Sequence, residues 1–314
     1  MPIIAGPGGI MFTGMNTPVD KAEIERREKE REERVKRLID RVAKSSPTGK
    51  KIIESAIERG ISIGIDGDKG NSLGSYMPSM KYVSLNEKAS DEQLLSTIVH
   101  ECRHSEQNPK RDMSYTMYAS IGETRAMEAD AMAHECAAVY QMRKAEPETY
   151  KLFCNRHGGI MQAYEASFEK DKDETKAKAE AFKAWYDHAE YVELYDRSVT
   201  EYMSMGQMHS GAYKQDLSVK VLSDNVPYVD PAFFTSQRAT TVSEQTAENA
   251  AKVERGHIRH ALKLFGKSKM PTSADKFYVR EANGQVRPPV VSEKSAEKTN
   301  AAAVVRAVSA RKER

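Results

Sequence analysis

The sequence predicts an α+β fold that is mostly helical: a small sheet, then the helix that carries the chemistry, then additional helices. Ile61, Ile63 and Ile65 alternate with Ser62 and Gly64, and Lys81–Asn86 alternates again, so a strand is expected in each place. Gly67-Asp68-Lys69-Gly70-Asn71 supplies turn residues between them. Beyond residue 90 the periodicity is helical, over 91–107, about 114–145, 148–157, 160–170 and 174–203. A less regular stretch marked by Pro227 and Pro231 follows, and then one more helix over roughly 243–265.

Composition narrows the class. Apolar residues make up 39% and charged residues 30%, a polar balance that should leave some segments poorly packed. A net charge of +2 argues against a dominant nucleic-acid surface, which needs a large field of one sign. No apolar run is long enough to span a bilayer, so no membrane is expected. Met1 to Gly14 lacks the basic region and apolar core of a signal peptide. Cys102, Cys136 and Cys154 are odd in number and unpatterned, as in a reduced cytoplasmic protein. Export by a route without a classical signal stays open.

Five segments are expected. Residues 1–20 read as a flexible lead and 21–59 as a charged helix followed by a short one. Residues 60–145 carry the site, 146–266 form a helical extension, and 267–314 a disordered tail with too little apolar content to offset its ordering entropy. In the charged helix, Glu, Arg and Lys mix at helical spacing around sparse apolar positions (Ile24, Val35, Leu38, Ile39, Val42). That is the pattern of a solvated helix, with a protein partner through 21–43 as the alternative. Ser46-Pro47 supplies an N-cap and a first-turn proline for the short helix, which should end near Gly60.

The chemistry concentrates in Thr97-Ile98-Val99-His100-Glu101-Cys102-Arg103-His104, which contains H-E-x-x-H. Ser90 and Gln93 form a capping box and Asn108-Pro109 terminates the run, so the motif lies inside a bounded helix buried through Leu94, Leu95, Ile98 and Cys102. Four residues apart, His100 and His104 stack on one face, and two neutral imidazoles so placed can hold one Zn²⁺. Glu101, turned about 100° from His100, cannot easily be a third ligand from the same helix. It can reach a metal-bound water, take its proton and return it to the leaving amine. The bland alternative is two exposed histidines on a soluble helix; the apolar start, the clean stop and the preceding strand argue against it.

A catalytic zinc needs a third protein ligand and an open position. The extended three-histidine pattern would require Gly at 107 and His at 110, where this chain has Gln107 and Lys110. A carboxylate from Ile121–Ala133 is the remaining source. Glu123 and Glu128 are five residues apart, so only one can face the metal. Glu128 shares its side with Ile121, Met132 and Val139 and is favoured; Glu123, on a face with Asp130 and His134, is the alternative. Asp130 is a candidate second-layer acceptor for a ligating histidine. The oxyanion-stabilising group is not identified among Tyr115, Tyr118, His134 and Tyr213.

His100-Glu101-Cys102-Arg103-His104, followed by Arg125-x-x-Glu128-Ala129-Asp130-Ala131, resembles the gluzincin-type zinc metallopeptidases. It is similar in particular to small bacterial metallopeptidase domains of unassigned substrate. Gly74-Ser75-Tyr76 and the strand Lys81–Asn86 match that arrangement, and the resemblance covers about residues 60–145. It implies a zincin-like small sheet plus active-site helix, one Zn²⁺ per chain on His100, His104 and Glu128, and Glu101 as general base. It also implies that Lys81–Asn86 is an edge strand that receives a protein or peptide substrate as an added strand. The chain departs from the pattern in lacking Asp four residues after either glutamate: Met127 follows Glu123 and Met132 follows Glu128.

Two other metal-type spacings are weaker. Cys154-x-x-His157 is half a zinc site without a second half. Glu254-x-x-His257, read with Glu101-x-x-His104, suggests a di-iron carboxylate bundle, against which Gly256 and the two strands count. Trp185, Phe182, Tyr186, Tyr191 and Tyr195 lie at helical spacings and read as core. The competing functional reading to a zinc peptidase is a non-enzymatic helical interaction protein.

Overall fold

A computed structural model describes residues 21–107, 116–205, 218–265 and 273–289. The described residues form helices α1 (Lys21–Ser45), α2 (Pro47–Glu58), α3 (Asp91–Gln107), α4 (Met117–Met142), α5 (Pro147–Asp171) and α6 (Glu174–Trp185). Further along come α7 (Ala189–Met205), α8 (Val219–Asn225), α9 (Gln237–Thr240) and α10 (Glu244–Phe265). The strands are β1 (Ser62–Asp66), β2 (Gly74–Met77), β3 (Tyr82–Asn86), β4 (Thr241–Ser243), β5 (Tyr278–Arg280) and β6 (Val286–Arg287). This is a mostly helical α+β architecture with two small mixed sheets. The expected lead (1–20), Asn108-Pro109, Tyr115 and Tyr213 lie outside the described residues.

The chain divides into two compact units. Of the described residues, the first comprises 21–107, 126–188 and 223–230; the second comprises 116–125, 189–205, 218–222, 231–265 and 273–289. Helix α4 contributes to both.

In the first unit the strand order is β1-β3-β2, with β1 parallel and β2 antiparallel to β3. All five residues of β3 are buried, because it is covered on both edges as well as by helices. The expectation that Lys81–Asn86 is an edge strand is therefore overturned. Both hydrogen-bonding edges of β3 are used, and the edge beside α3 belongs to β2, four residues too short and too irregular to show an alternating pattern. The polar side chains on β3 are satisfied locally: Tyr82 and Ser84 hydroxyls donate to Asp66, and the Asn86 amide donates to Ser72 O at 2.8 Å.

The helices around this sheet follow their end signals. Ser46 Oγ accepts from Gly49 N at 2.9 Å and Pro47 opens α2. Ser90 and Gln93 bond reciprocally at 3.0 and 3.3 Å, completing the capping box of α3. Leu94, Leu95, Ile98, Val99 and Cys102 are fully buried, which fixes the rotation of α3 about its axis. In α1 only Val35, Leu38 and Val42 are buried; Glu23, Arg26, Arg27 and Glu30 form ion pairs along the exposed first half. Gly49 marks a close approach: a Cβ there would sit 2.6 Å from Val42 Cγ1 and 3.2 Å from Val99 Cγ2.

Two expected helices, 148–157 and 160–170, are one kinked helix, α5. Its break is at His157 (φ −129°, ψ 28°), just ahead of Gly158-Gly159, where backbone freedom is greatest. The single helix expected over 174–203 is interrupted after Trp185 and resumes at Ala189. Phe182, Trp185 and Tyr186 are buried. No helix among the described residues is long and apolar enough to cross a membrane.

The second unit holds the sheet β4-β5-β6, with β5 parallel to β4 and antiparallel to β6. Met117, Ile121, Val199, Met203, Val242, Val253, Phe277 and Val279 form its core. Residues 273–289, expected within a disordered tail, are thus structured. Phe277 and Val279 are only 3% and 4% exposed, and β5 pairs in parallel with β4 at long range, which composition could not reveal. The rest of the expected tail lies outside the described residues. Arg125 and Asp196, each 1% exposed, form a forked pair at 2.7 and 2.5 Å, and Arg125 Nη1 also donates to Ala239 O and Thr241 O at 3.0 Å.

Arg125→Ala should destabilise the chain by about 3–5 kcal/mol by stranding Asp196 in the core. Arg125→Met with Asp196→Leu should recover most of that loss in a urea melt; equal loss in the single and double variants would contradict the assignment. In the first unit, a Cβ at Gly74 would lie 2.8 Å from Thr97 Cγ2 and 3.1 Å from Glu101 Cγ. Gly74→Ala should therefore cost about 1–3 kcal/mol by overpacking, read as a lower thermal midpoint.

Candidate metal centre

Burial of the apolar face of α3 leaves His100 and His104 on the side that meets α4. Their rings are 4.7 Å apart at 81°, and the two Nε2 atoms face each other at 3.1 Å. Glu128, from α4, places Oε2 at 3.4 Å from His100 Nε2 and 3.5 Å from His104 Nε2. Among the described residues this is the one cluster of three whose donor atoms converge. Three donors on a tetrahedral ion at ~2.0–2.1 Å stand about 3.3 Å apart, so the triangle has the size a zinc-type ion requires. Two imidazoles and one carboxylate are also a borderline-to-hard donor set suited to such an ion.

Each histidine is held from behind. His100 Nδ1 donates to Glu135 Oε2 at 2.9 Å, and His104 Nδ1 lies 2.8 Å from Gln107 Oε1. The Gln107 amide nitrogen is committed to Met127 O at 2.9 Å and Asp130 Oδ2 at 2.5 Å, so its oxygen must face His104. Both rings thus carry hydrogen on Nδ1 and turn Nε2 inward.

The electrostatics point the same way. Burial disfavours a charged His100, yet hydrogen bonds to Glu128 and Glu135 outweigh it and push its pKa well above the usual value. His104 is raised too, against burial, by Glu128. Burial alone would raise the Glu128 pKa, but His104 and His100 hold it well below the carboxylate range. The space between the three side chains therefore favours positive charge.

Glu101 lies one residue round the helix, 9% exposed, with its pKa raised chiefly by burial and opposed by His100 and His104. Its side chain runs beneath β2, where Gly74 makes room for it. A carboxylate with raised proton affinity beside a cation-seeking triangle can accept and return a proton.

The structure brings together His100, His104, Glu128 and Glu101. Glu123 is buried in the second unit and is not part of the donor cluster. Asp130 does not contact His100 or His104. It is fully buried and accepts from Arg103 Nε at 2.8 Å, Gln107 Nε2 and Tyr228 OH at 2.6 Å, because it projects to the Arg103 side of α3. His134 directs Nδ1 to Asp130 O at 2.8 Å, and Tyr118 packs on Phe277 with ring centres 4.9 Å apart. Glu254 accepts from Ser273 N at 3.0 and 3.1 Å, and His257 Nε2 lies 3.1 Å from Met203 O, so both are engaged in holding the second unit together rather than a second metal. His157 is buried, with its pKa pushed down to about 4 by burial.

Sequence reasoning missed Glu135 and the supporting part of Gln107, and met Gly74 only within Gly74-Ser75-Tyr76. Glu135 was accessible in principle: seven residues after Glu128, it returns to the same face of α4. Gln107 closes the last turn of α3 three residues after His104 and carries no distinctive spacing.

A family model described as a putative metallopeptidase family matches residues 11–221. No curated protein and no solved structure matches the chain. A match over well more than half of the sequence means that this chain belongs to the putative metallopeptidase family DUF6782.

Proposed function

We propose that the chain is a zinc-dependent peptidase of gluzincin type, with one Zn²⁺ held by His100, His104 and Glu128 and with Glu101 as general base. The observation that carries this reading is the convergence of the two Nε2 atoms and Glu128 Oε2, spaced 3.1 to 3.5 Å, with a buried carboxylate alongside. Bound there, zinc supplies a Lewis acid that lowers the pKa of water and polarises an amide carbonyl.

The protein's own groups do the remaining work. Glu135 and Gln107 orient the two imidazoles, so that little reorganisation is needed when they bind the ion. Glu101 Oε takes the proton of the attacking water and later delivers it to the departing amine nitrogen. Its burial raises its proton affinity, which suits a group that must hold a proton between the two steps.

A peptide is the favoured substrate. β2 has one hydrogen-bonding edge turned away from β3 and packs through Gly74 on the Glu101 side chain. An extended chain paired on that edge would run past the site with its amides aligned. The free thiols of Cys102, Cys136 and Cys154 fit a reducing, cytoplasmic setting.

Protein purified without an affinity metal should contain one zinc per chain by elemental analysis, and His100→Ala, His104→Ala or Glu128→Ala should lose it. Glu101→Gln should keep the zinc while hydrolysis of an unfolded protein substrate falls by about 10²–10⁴; undiminished turnover in that variant would remove the mechanism. Glu135→Gln should weaken zinc binding by about 10–100-fold in chelator competition, with His100 no longer tied to an anion.

A further inference from the structure

The turn Val226-Pro227-Tyr228-Val229 lies beyond the residues that match the family, yet it belongs to the same compact unit as the metal centre. Val226 and Val229 are each 2% exposed, and Val229 N bonds back to Val226 O at 3.2 Å, so the turn is anchored at both ends. Between them Tyr228 is wedged edge-on against His134 and Phe182, at ring distances of 5.7 and 6.3 Å. Its hydroxyl donates to Asp130 Oδ1 at 2.6 Å.

That bond closes a chain of three. Asp130 Oδ2 receives the Gln107 amide at 2.5 Å, and Gln107 Oε1 faces His104 Nδ1 at 2.8 Å. Arg103 Nε holds Oδ2 at 2.8 Å, and the phenol pins Oδ1, so the carboxylate cannot rotate away from the amide without losing buried hydrogen bonds at both oxygens. If the carboxylate turns, the Gln107 amide keeps only its bond to Met127 O at 2.9 Å and flips more readily, offering NH₂ to His104, which selects the wrong tautomer and withdraws Nε2 from metal binding.

We propose that Tyr228 is a positioning residue for His104, acting through Asp130 and Gln107 to hold the imidazole in its metal-binding tautomer. The inference rests on the metal-centre reading above. It makes a segment far along the chain part of the site's supporting layer.

The test uses the full chain loaded with Co²⁺ in place of zinc. Tyr228→Phe keeps the ring packing and deletes the hydroxyl. It should speed chelator-driven loss of Co²⁺ about tenfold or more and shift the visible d–d bands, which report ligand geometry. Lys178→Met serves as the control, since Lys178 Nζ sits 5.6 Å over the same ring and takes no part in the chain of bonds. It should behave as the unaltered protein. A Tyr228→Phe protein with unchanged release and spectrum overturns the proposal. If the unaltered protein takes up no Co²⁺, the peptidase reading fails separately. Exchange of the His104 Nδ1 proton with water, followed by ¹⁵N NMR in the metal-free chain, then decides the present one: several-fold faster exchange in Tyr228→Phe supports it, and an unchanged rate overturns it.

Discussion

Two imidazole nitrogens face each other at 3.1 Å in the first unit, and each ring has already committed its other nitrogen as a donor. Both rings have a raised pKa, against burial, so the gap between the two Nε2 atoms draws positive charge. The nearby Glu128 oxygen adds a third electron-rich atom to the same point. Much else in the first unit serves to hold these three donor atoms at that spacing.

The scaffold does so mainly by burial. Leu94, Leu95, Ile98 and Cys102 set the rotation of α3, and the close contact at Gly49 seats α2 against it. Alanines 126, 129, 131, 133, 137 and 138 are all at most 2% exposed on α4, and such small side chains allow a close packing partner. A low-dielectric setting of this kind strengthens each charge–charge contact, which is why burial raises the proton affinity of Glu101 while Glu128 stays ionised. Similar carboxylates one helix apart thereby take different chemical parts.

Support for the two histidines is unequal. His100 leans on an anion, Glu135, whereas His104 leans on a neutral amide whose own partner, Asp130, carries the charge. The first arrangement makes the imidazole a stronger donor to a cation; the second fixes tautomer with less effect on basicity. Arg103, on the same helix as the two histidines, balances that second carboxylate and keeps a fully buried charge paired.

The sequence by itself determined what depends on neighbours along the chain. The capping box of α3, its 3.6-residue burial, the stacking of His100 over His104 and the turn of Glu101 away from them all follow from local helical geometry. Glu128 could be favoured over Glu123 because the same periodicity separates their faces. Tertiary structure alone decided the matters that rest on distant pairing. Which strand lies at the sheet edge, whether 273–289 is ordered, and that Tyr228 stands behind Asp130 were not encoded in any spacing. A hydrogen bond between residues far apart in sequence leaves no periodic trace, since its cause is the folded surface that brings the two groups within reach.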